Sequence, residues 1–416
     1  MKNFLINTFL ILISLAIGVY IVELIARKIE PKEVFEGSGG SYLQHETLGF
    51  VPKPGKGRVI TNEFDATYIV NEDYMNDLPL EAPQLVDSGN VIVLGDSHTF
   101  ALGVNREQTF PWVLNDLVQS EGLINGKVWN AGSIGYSLSQ YLLKYRELAP
   151  KINADLVVIS FSQATDLYDH IPPSRGGFIY GSTFGRIYHD LDDKGRLIEK
   201  TELVGKYSAD GSFSEVKQSA ENTNSNEQAQ TQQTTNKVNR LQKFKDNLHY
   251  RSALYRMLKR SKIAMWVATR FRPGGQSLWP GLDTSLKIEL TEDDQYRMDL
   301  AKALIAQIAK EAKANGSEVL FVNIPYIATV YDDVWDASFG SQPKVYDRFL
   351  GSSRMKQICE EVDIHYLDLT NAFITEVESK GNWLHFPIDA HPNIAGHQLI
   401  GEEILNFVKV NQLVKQ

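Results

Sequence analysis

The chain has 416 residues, enough for one large domain or two modest ones with a full core. Hydrophobic residues at 43% and charged residues at 22% are ordinary for a globular protein, and a net charge of −9 without a long basic run speaks against a nucleic-acid partner. A single cysteine, Cys359, rules out an internal disulfide and reads as a small buried hydrophobe in a helical stretch.

Residues 4–25 are nearly all apolar, interrupted by Asn7, Thr8, Ser14 and Glu23. That length suits a membrane-spanning helix of about 20 residues. A cleaved signal peptide competes, with Ala16-Ile17-Gly18 as a faint cleavage site, but the apolar run continues past it and favours retention. The expectation is one N-terminal transmembrane helix over residues 1–28. Charge leaves its orientation open, because Lys2 and the α-amine precede it while Arg27, Lys28 and Lys32 follow. Residues 29–89 read as a linker and ornamented leading region without its own core. Within it, Glu36-Gly37-Ser38-Gly39-Gly40-Ser41 has a flexible composition and residues 66–71 form a candidate strand.

From Asn90 the pattern alternates strand and helix through residue 410. Residues 91–94 form a short β-branched run that ends abruptly in Gly95-Asp96-Ser97, and a helical pattern begins near Thr109. Further strands are expected at 127–130, 155–161, 317–324 and 363–369. A helix is expected from a Thr291 N-cap, with an acidic first turn, to Gly316 as C-cap. Strands separated by helices predict a mainly parallel sheet covered on both faces. The polar residues 171–240 read as an insertion, disordered in composition over 219–236. Residues 239–271 look helical and basic: a solvated face is favoured over contact with an anionic lipid or polymer.

A serine hydroxyl needs a base to take its proton and an acid to orient that base. Ser97 stands at the carboxyl end of the first strand, where open α/β sheets bind ligands. Asp389 and His391 lie on a Pro-containing loop near the other end of the domain, and such loops can converge on the same edge. The expected roles are Ser97 as nucleophile, His391 as general base then acid, and Asp389 as orienting acid. The backbone N–H groups of Ser97 and Gly135, with a polar group at the end of the third strand, are the candidate oxyanion donors. His98, His385 and His397 are expected to have no chemical role, although His98 is near enough to touch substrate. No metal or cofactor is called for.

Taken in order, these stretches resemble the SGNH/GDSL hydrolase superfamily. Gly95-Asp96-Ser97-His98-Thr99 is similar to its first block, Asn130-Ala131-Gly132-Ser133-Ile134-Gly135 to its second, and Asp389-Ala390-His391-Pro392-Asn393 to its last. The resemblance implies a flavodoxin-like three-layer α/β/α fold and acyl chemistry without a metal. The anchor, with Asn71, Met75 and Asp77 upstream of the domain, is similar to membrane-tethered bacterial members whose domain faces the periplasm or the outside.

Two departures stand out. The third block normally ends Gly-Asn-Asp, with the asparagine donating to the oxyanion, and this chain has Ala164-Thr165-Asp166, so the resemblance passes that role to Thr165, with Gln163 nearby. The acid is two residues before the histidine where many members have three, a spacing shared with relatives that transfer acetyl groups to polysaccharides. The resulting expectation is a membrane-anchored serine esterase acting on an ester, such as an O-acetyl group on an envelope glycan. The alternatives are an O-acyltransferase modifying a cell-surface polysaccharide and an inactive member that binds glycan or serves as a scaffold.

Overall fold

The computed structural model describes residues 2–29, 34–36, 42–61, 63–80, 89–171, 186–199, 206–207, 213–214 and 280–414. Four largely apolar runs and one half-buried mixed segment form the strands β1 (Asn90–Leu94), β2 (Val128–Asn130), β3 (Ala154–Ser162), β4 (Glu318–Ile324) and, as the mixed segment, β5 (His365–Asp368). They pair in parallel in the order β5-β4-β3-β1-β2. Read from the other edge this is 2-1-3-4-5, the flavodoxin-like order, whose topological switch point lies between β1 and β3.

Continuous hydrophobicity in the inner strands β1, β3 and β4 reflects cover on both faces. The helices are α1 (Phe110–Ser120), α2 (Leu138–Leu148), α3 (Glu292–Ala314), α4 (Leu350–Val362), α5 (Thr370–Lys380) and α6 (Ile394–Asn411). Ile92, Leu94, Val157, Ile159 and Phe321 point to one face and pack with α2, α3 and α4. Val91, Val93, Val158, Leu320 and Val322 point to the other and pack with α1, α5 and α6. The alternation within each strand produces three layers, α/β/α. Helix α3 starts on a reciprocal capping box between Thr291 and Asp294 and is followed by Gly316 at φ +85°. Cys359 on α4 is fully buried, and burial pushes its thiol up to about 12.

The chain divides into two units, Met1–Lys32 with Lys217–Arg272, and Glu33–Val216 with Pro273–Gln416. In the first, the structure describes a helix over Lys2–Ile29. Among the described residues no helix is long and apolar enough to cross a membrane. Near the end of the Lys2–Ile29 helix, Glu23 accepts a hydrogen bond from Arg27 at 2.8 Å, so charged side chains lie within the segment. This overturns the expected single-pass membrane location, and leaves the expected transmembrane anchor over 1–28 and the membrane as a partner without support. The expected linker at 37–41, the disordered stretch at 219–236 and the basic stretch at 239–271 lie outside the described residues.

In the second unit, the leading region forms an antiparallel sheet of Val34–Glu36, Gly55–Ile60 and Asp65–Val70, and a hairpin of Tyr42–His45 with Gly49–Pro52. Val59, Ala66, Tyr68 and Val70 bury themselves against Phe100, three residues past Ser97. Asn71 Oδ1 accepts the backbone N–H groups of Asp73 and Met75 at 3.0 and 2.9 Å, shaping the turn that delivers Asp77. The Asp77 carboxylate accepts the Asn130 backbone N–H at 2.9 Å and pairs with Lys127, whose ammonium lies 4.1 Å from the Trp129 ring centroid. Both charges are buried, and burial holds the Lys127 pKa below its ordinary value despite Asp77. In the described part of the insertion, Asp190–Leu191 and Leu197–Ile198 pair as strands, and Glu199 and Asp190 bond Arg146 of α2 and Tyr296 of α3.

Asp77→Ala leaves the Lys127 ammonium buried without its partner, so we expect a loss of about 3–5 kcal/mol in unfolding free energy by urea titration. A loss under about 1 kcal/mol would show that the pair does not bind the leading region to the sheet.

Candidate active site

Ser97 sits where the backbone turns sharply off β1. Gly95 allows the turn: a Cβ there would lie 1.9 Å from Thr99 Oγ1. Asp96 then caps the short helix Ser97–Phe100, accepting the His98 N–H at 2.8 Å. Its carboxylate also meets His98 Nδ1 at 3.1 and 3.2 Å and accepts the Thr165 hydroxyl at 2.8 Å. Burial alone would raise the Asp96 pKa, but the His98 ring, the His98 N–H and Thr165 hold it below the ordinary carboxylate value.

The partners come from the loop between α5 and α6. Hydrogen bonds from the Phe386 N–H to the His391 carbonyl and from the Ala390 N–H to the Phe386 carbonyl, both 2.8 Å, fold that loop on itself. Ala390 takes the left-handed conformation at φ +72°, unusual for a residue other than glycine. The loop carries His391 Nε2 to 2.7 Å from Ser97 Oγ, a contact across 294 residues of sequence. His391 Nδ1 lies 2.5 Å from Asp389 Oδ1. Burial alone would lower the His391 pKa, but the Asp389 charge and hydrogen bond raise it above 6.5. Burial would likewise raise the Asp389 carboxyl, and His391 holds it low.

The three residues surround a cavity of about 270 Å³, walled by Leu102, Ile134, Ala164 and Tyr326. Gly135 reaches it in the left-handed conformation, φ +78°, with its carbonyl accepting from the Arg186 guanidinium. Thr165 also lines the cavity, but its one hydroxyl hydrogen goes to Asp96, so it does not stand as an uncommitted donor. Gln163 is buried to one side, donating to Ser352 Oγ at 3.2 Å. His385 bonds the Pro325 carbonyl and Tyr331, and His397 Nδ1 accepts the Phe110 N–H at 3.3 Å. Burial pushes both rings down to about 3, so they stay neutral supports. Among the described residues no group of His, Cys, Asp and Glu is arranged to hold a metal ion.

The chain resembles the SGNH/GDSL hydrolases. Its own blocks carry that resemblance, now with the first and last in contact and the second at the cavity wall. No family model matches the chain, and no curated protein matches it. Among solved structures it is similar to TesA, at 13% identity over 78% of this chain and 99% of that one, with a TM-score of 0.36. It is also similar to the acetyl xylan esterase AlAXEase (10% identity, 77% and 99% covered, TM-score 0.35). A third is the psychrotrophic esterase EstA from Pseudoalteromonas sp. (12% identity, 78% and 98% covered, TM-score 0.35). At these scores the likenesses add no argument about chemistry.

One residue at this SGNH-like site had no signal in the sequence. Glu63, in the turn between two strands of the leading sheet, accepts the backbone N–H groups of Ile388 and Asp389 at 2.9 and 2.7 Å. Phe64 beside it contacts the Phe386 ring, 5.1 Å between centroids. Together they hold the Asp389–His391 loop from outside. Glu63→Ala should slow labelling of Ser97 by a fluorophosphonate probe about tenfold or more, since a hydrogen bond to a charged group contributes about 1.5–3 kcal/mol. Glu63→Gln, which keeps one acceptor oxygen, should fall between. Equal labelling rates at equal melting temperature would rule out a positioning role.

Proposed function

We propose that the chain hydrolyses esters of short acyl groups, with Ser97 as nucleophile, His391 as general base and acid, and Asp389 as its orienting partner. The observation that supports this reading most is the unbroken hydrogen-bond chain from Asp389 through His391 to Ser97 Oγ. As Ser97 Oγ bonds to the acyl carbon, its proton passes to His391 Nε2, and the Asp389 carboxylate offsets the imidazolium charge. The carbonyl oxygen becomes an oxyanion facing the backbone N–H groups of Ser97 and Gly135. When the intermediate collapses, the ester C–O bond breaks and His391 protonates the leaving alkoxide. Water then attacks the acyl-enzyme, giving its proton to His391, and the acid leaves as Ser97 is restored.

The cavity, about 270 Å³, is at the small end for ligand sites, which favours an acetyl-sized group over a long chain. An O-acetyl group on a glycan is a substrate of that size. Transfer to a sugar hydroxyl follows the same steps with an alcohol replacing water, and product analysis with added oligosaccharide separates the two outcomes. The reading of a member without catalysis is answered by a chromogenic acetyl ester.

Ser97→Ala should cut kcat on that ester by more than about a thousandfold; equal activity in both proteins would remove Ser97 from the mechanism. The base must be neutral, and Asp389 raises its pKa, so the protonated, inactive form persists to higher pH. We therefore expect kcat/KM to climb with pH through a value above 6.5 and then level off. Asp389→Asn should lower that value as well as the rate.

Thr165→Val should cost less than about tenfold, against the 10²–10³ typical of an oxyanion donor. A hundredfold loss at unchanged stability would assign Thr165 to the oxyanion after all.

A further inference from the structure

The site holds a second Asp-x-His unit, Asp96-Ser97-His98, facing the first, Asp389-Ala390-His391. The two imidazoles lie against each other, ring centroids 4.6 Å apart and planes at 37°. His98 Nδ1 meets only the Asp96 carboxylate oxygens, at 3.1 and 3.2 Å, and these can only accept. The ring proton therefore sits on Nδ1, and in the neutral ring Nε2 is left as an acceptor. His98 is 5% exposed and lines the cavity, and among the described residues no hydrogen bond forms at its Nε2. The cavity walls Leu102, Ile134 and Ala164 offer no side-chain donor, and the Ser97 and Thr165 hydroxyls there are bonded to His391 and Asp96. An acceptor facing such a cavity is satisfied by water until a ligand brings a donor in its place.

Which part of the ligand brings it follows from the proposed mechanism, on which this step rests. His391 returns its proton to the leaving oxygen, so the alcohol portion of the ester lies against His391, while the acyl oxygen faces the N–H groups of Ser97 and Gly135. The His98 ring, tilted against His391, consequently borders the alcohol. We infer that His98 Nε2 forms a hydroxyl-binding subsite for the alcohol portion of the ester, selecting polyhydroxylated alcohols over plain alkyl ones. The hydroxyl donates to Nε2 while Asp96 fixes the tautomer that accepts it.

The test uses the full chain and a matched pair of esters. 2-Hydroxyethyl acetate and propyl acetate differ only by an O–H in place of a methyl group. The wild type should prefer the hydroxyethyl ester about threefold to tenfold in kcat/KM, the range of one neutral hydrogen bond. In His98→Phe the ratio should fall to near one. A third ester, 2-methoxyethyl acetate, keeps the oxygen but lacks the hydrogen, and the wild type should treat it as it treats propyl acetate; this measurement stands even where His98→Phe does not fold. Hydrolysis of all three esters at the same rate, or a preference that persists in His98→Phe, overturns the subsite and leaves the proposed hydrolase intact. Failure of the wild type to hydrolyse any of them overturns the proposed function and the subsite together.

Discussion

A carboxylate buried at the end of β1 has to be satisfied where it stands, and Asp96 is satisfied from three directions. The His98 backbone N–H, the His98 ring and the Thr165 hydroxyl all converge on it. In doing so it closes the cap of the short helix that presents Ser97, sets the tautomer of the neighbouring imidazole, and ties the end of β1 to the end of β3. These two strand ends flank the switch point of the sheet, the place where a parallel α/β fold leaves a crevice. Removing one donor would leave a buried charge short of a partner, which costs far more than the net value of one hydrogen bond. The turn is rigid for that reason, and Ser97 Oγ has one place to be.

The opposing loop is closed by the backbone hydrogen bonds Phe386 to His391, Ala390 to Phe386 and Asn393 to Leu384, with the Asn393 amide donating to the Trp383 carbonyl at 2.7 Å. It also includes Ala390 in a left-handed conformation, a strained geometry that contacts from outside help to hold. Glu63 and Phe64 supply those contacts from outside the α/β layers, and Phe100 fixes the sheet that carries them. The leading region is thus a structural part of the site. The buried Asp77–Lys127 pair and the Asp77 bond to Asn130 join its far end to β2, whose following turn brings Gly135 to the cavity.

The same economy of donors explains the one site residue whose arrangement differs from expectation. A hydroxyl has a single hydrogen, and at Thr165 the charged Asp96 carboxylate is a stronger acceptor than any neutral group in reach. An asparagine amide carries two hydrogens and could serve two acceptors. The spacing of Ala164-Thr165-Asp166 placed the side chain at the cavity, but it carried no information about where its hydrogen would go.

Continuous apolar runs at the inner strands, with helical patterns between the strands, were enough to determine a parallel sheet covered on both faces, because a strand buried on both sides lacks alternation. Local chemistry was also legible: the glycine that lets β1 turn at Ser97, the Thr291 capping box, and the pairing of Asp389 with His391 two residues away. The apolar N-terminal segment was judged by length alone, and among the described residues no helix is long and apolar enough to cross a membrane. What only the tertiary structure decided were contacts between distant segments. Glu63 looks like any surface acid until it meets two N–H groups 325 and 326 residues away. His98 looks like a neighbour of the nucleophile until its ring is seen tilted against His391, with Nδ1 on Asp96. Periodicity and spacing report which face or strand end a residue occupies. Which atom receives which hydrogen depends on donors and acceptors that the chain brings together only when it folds.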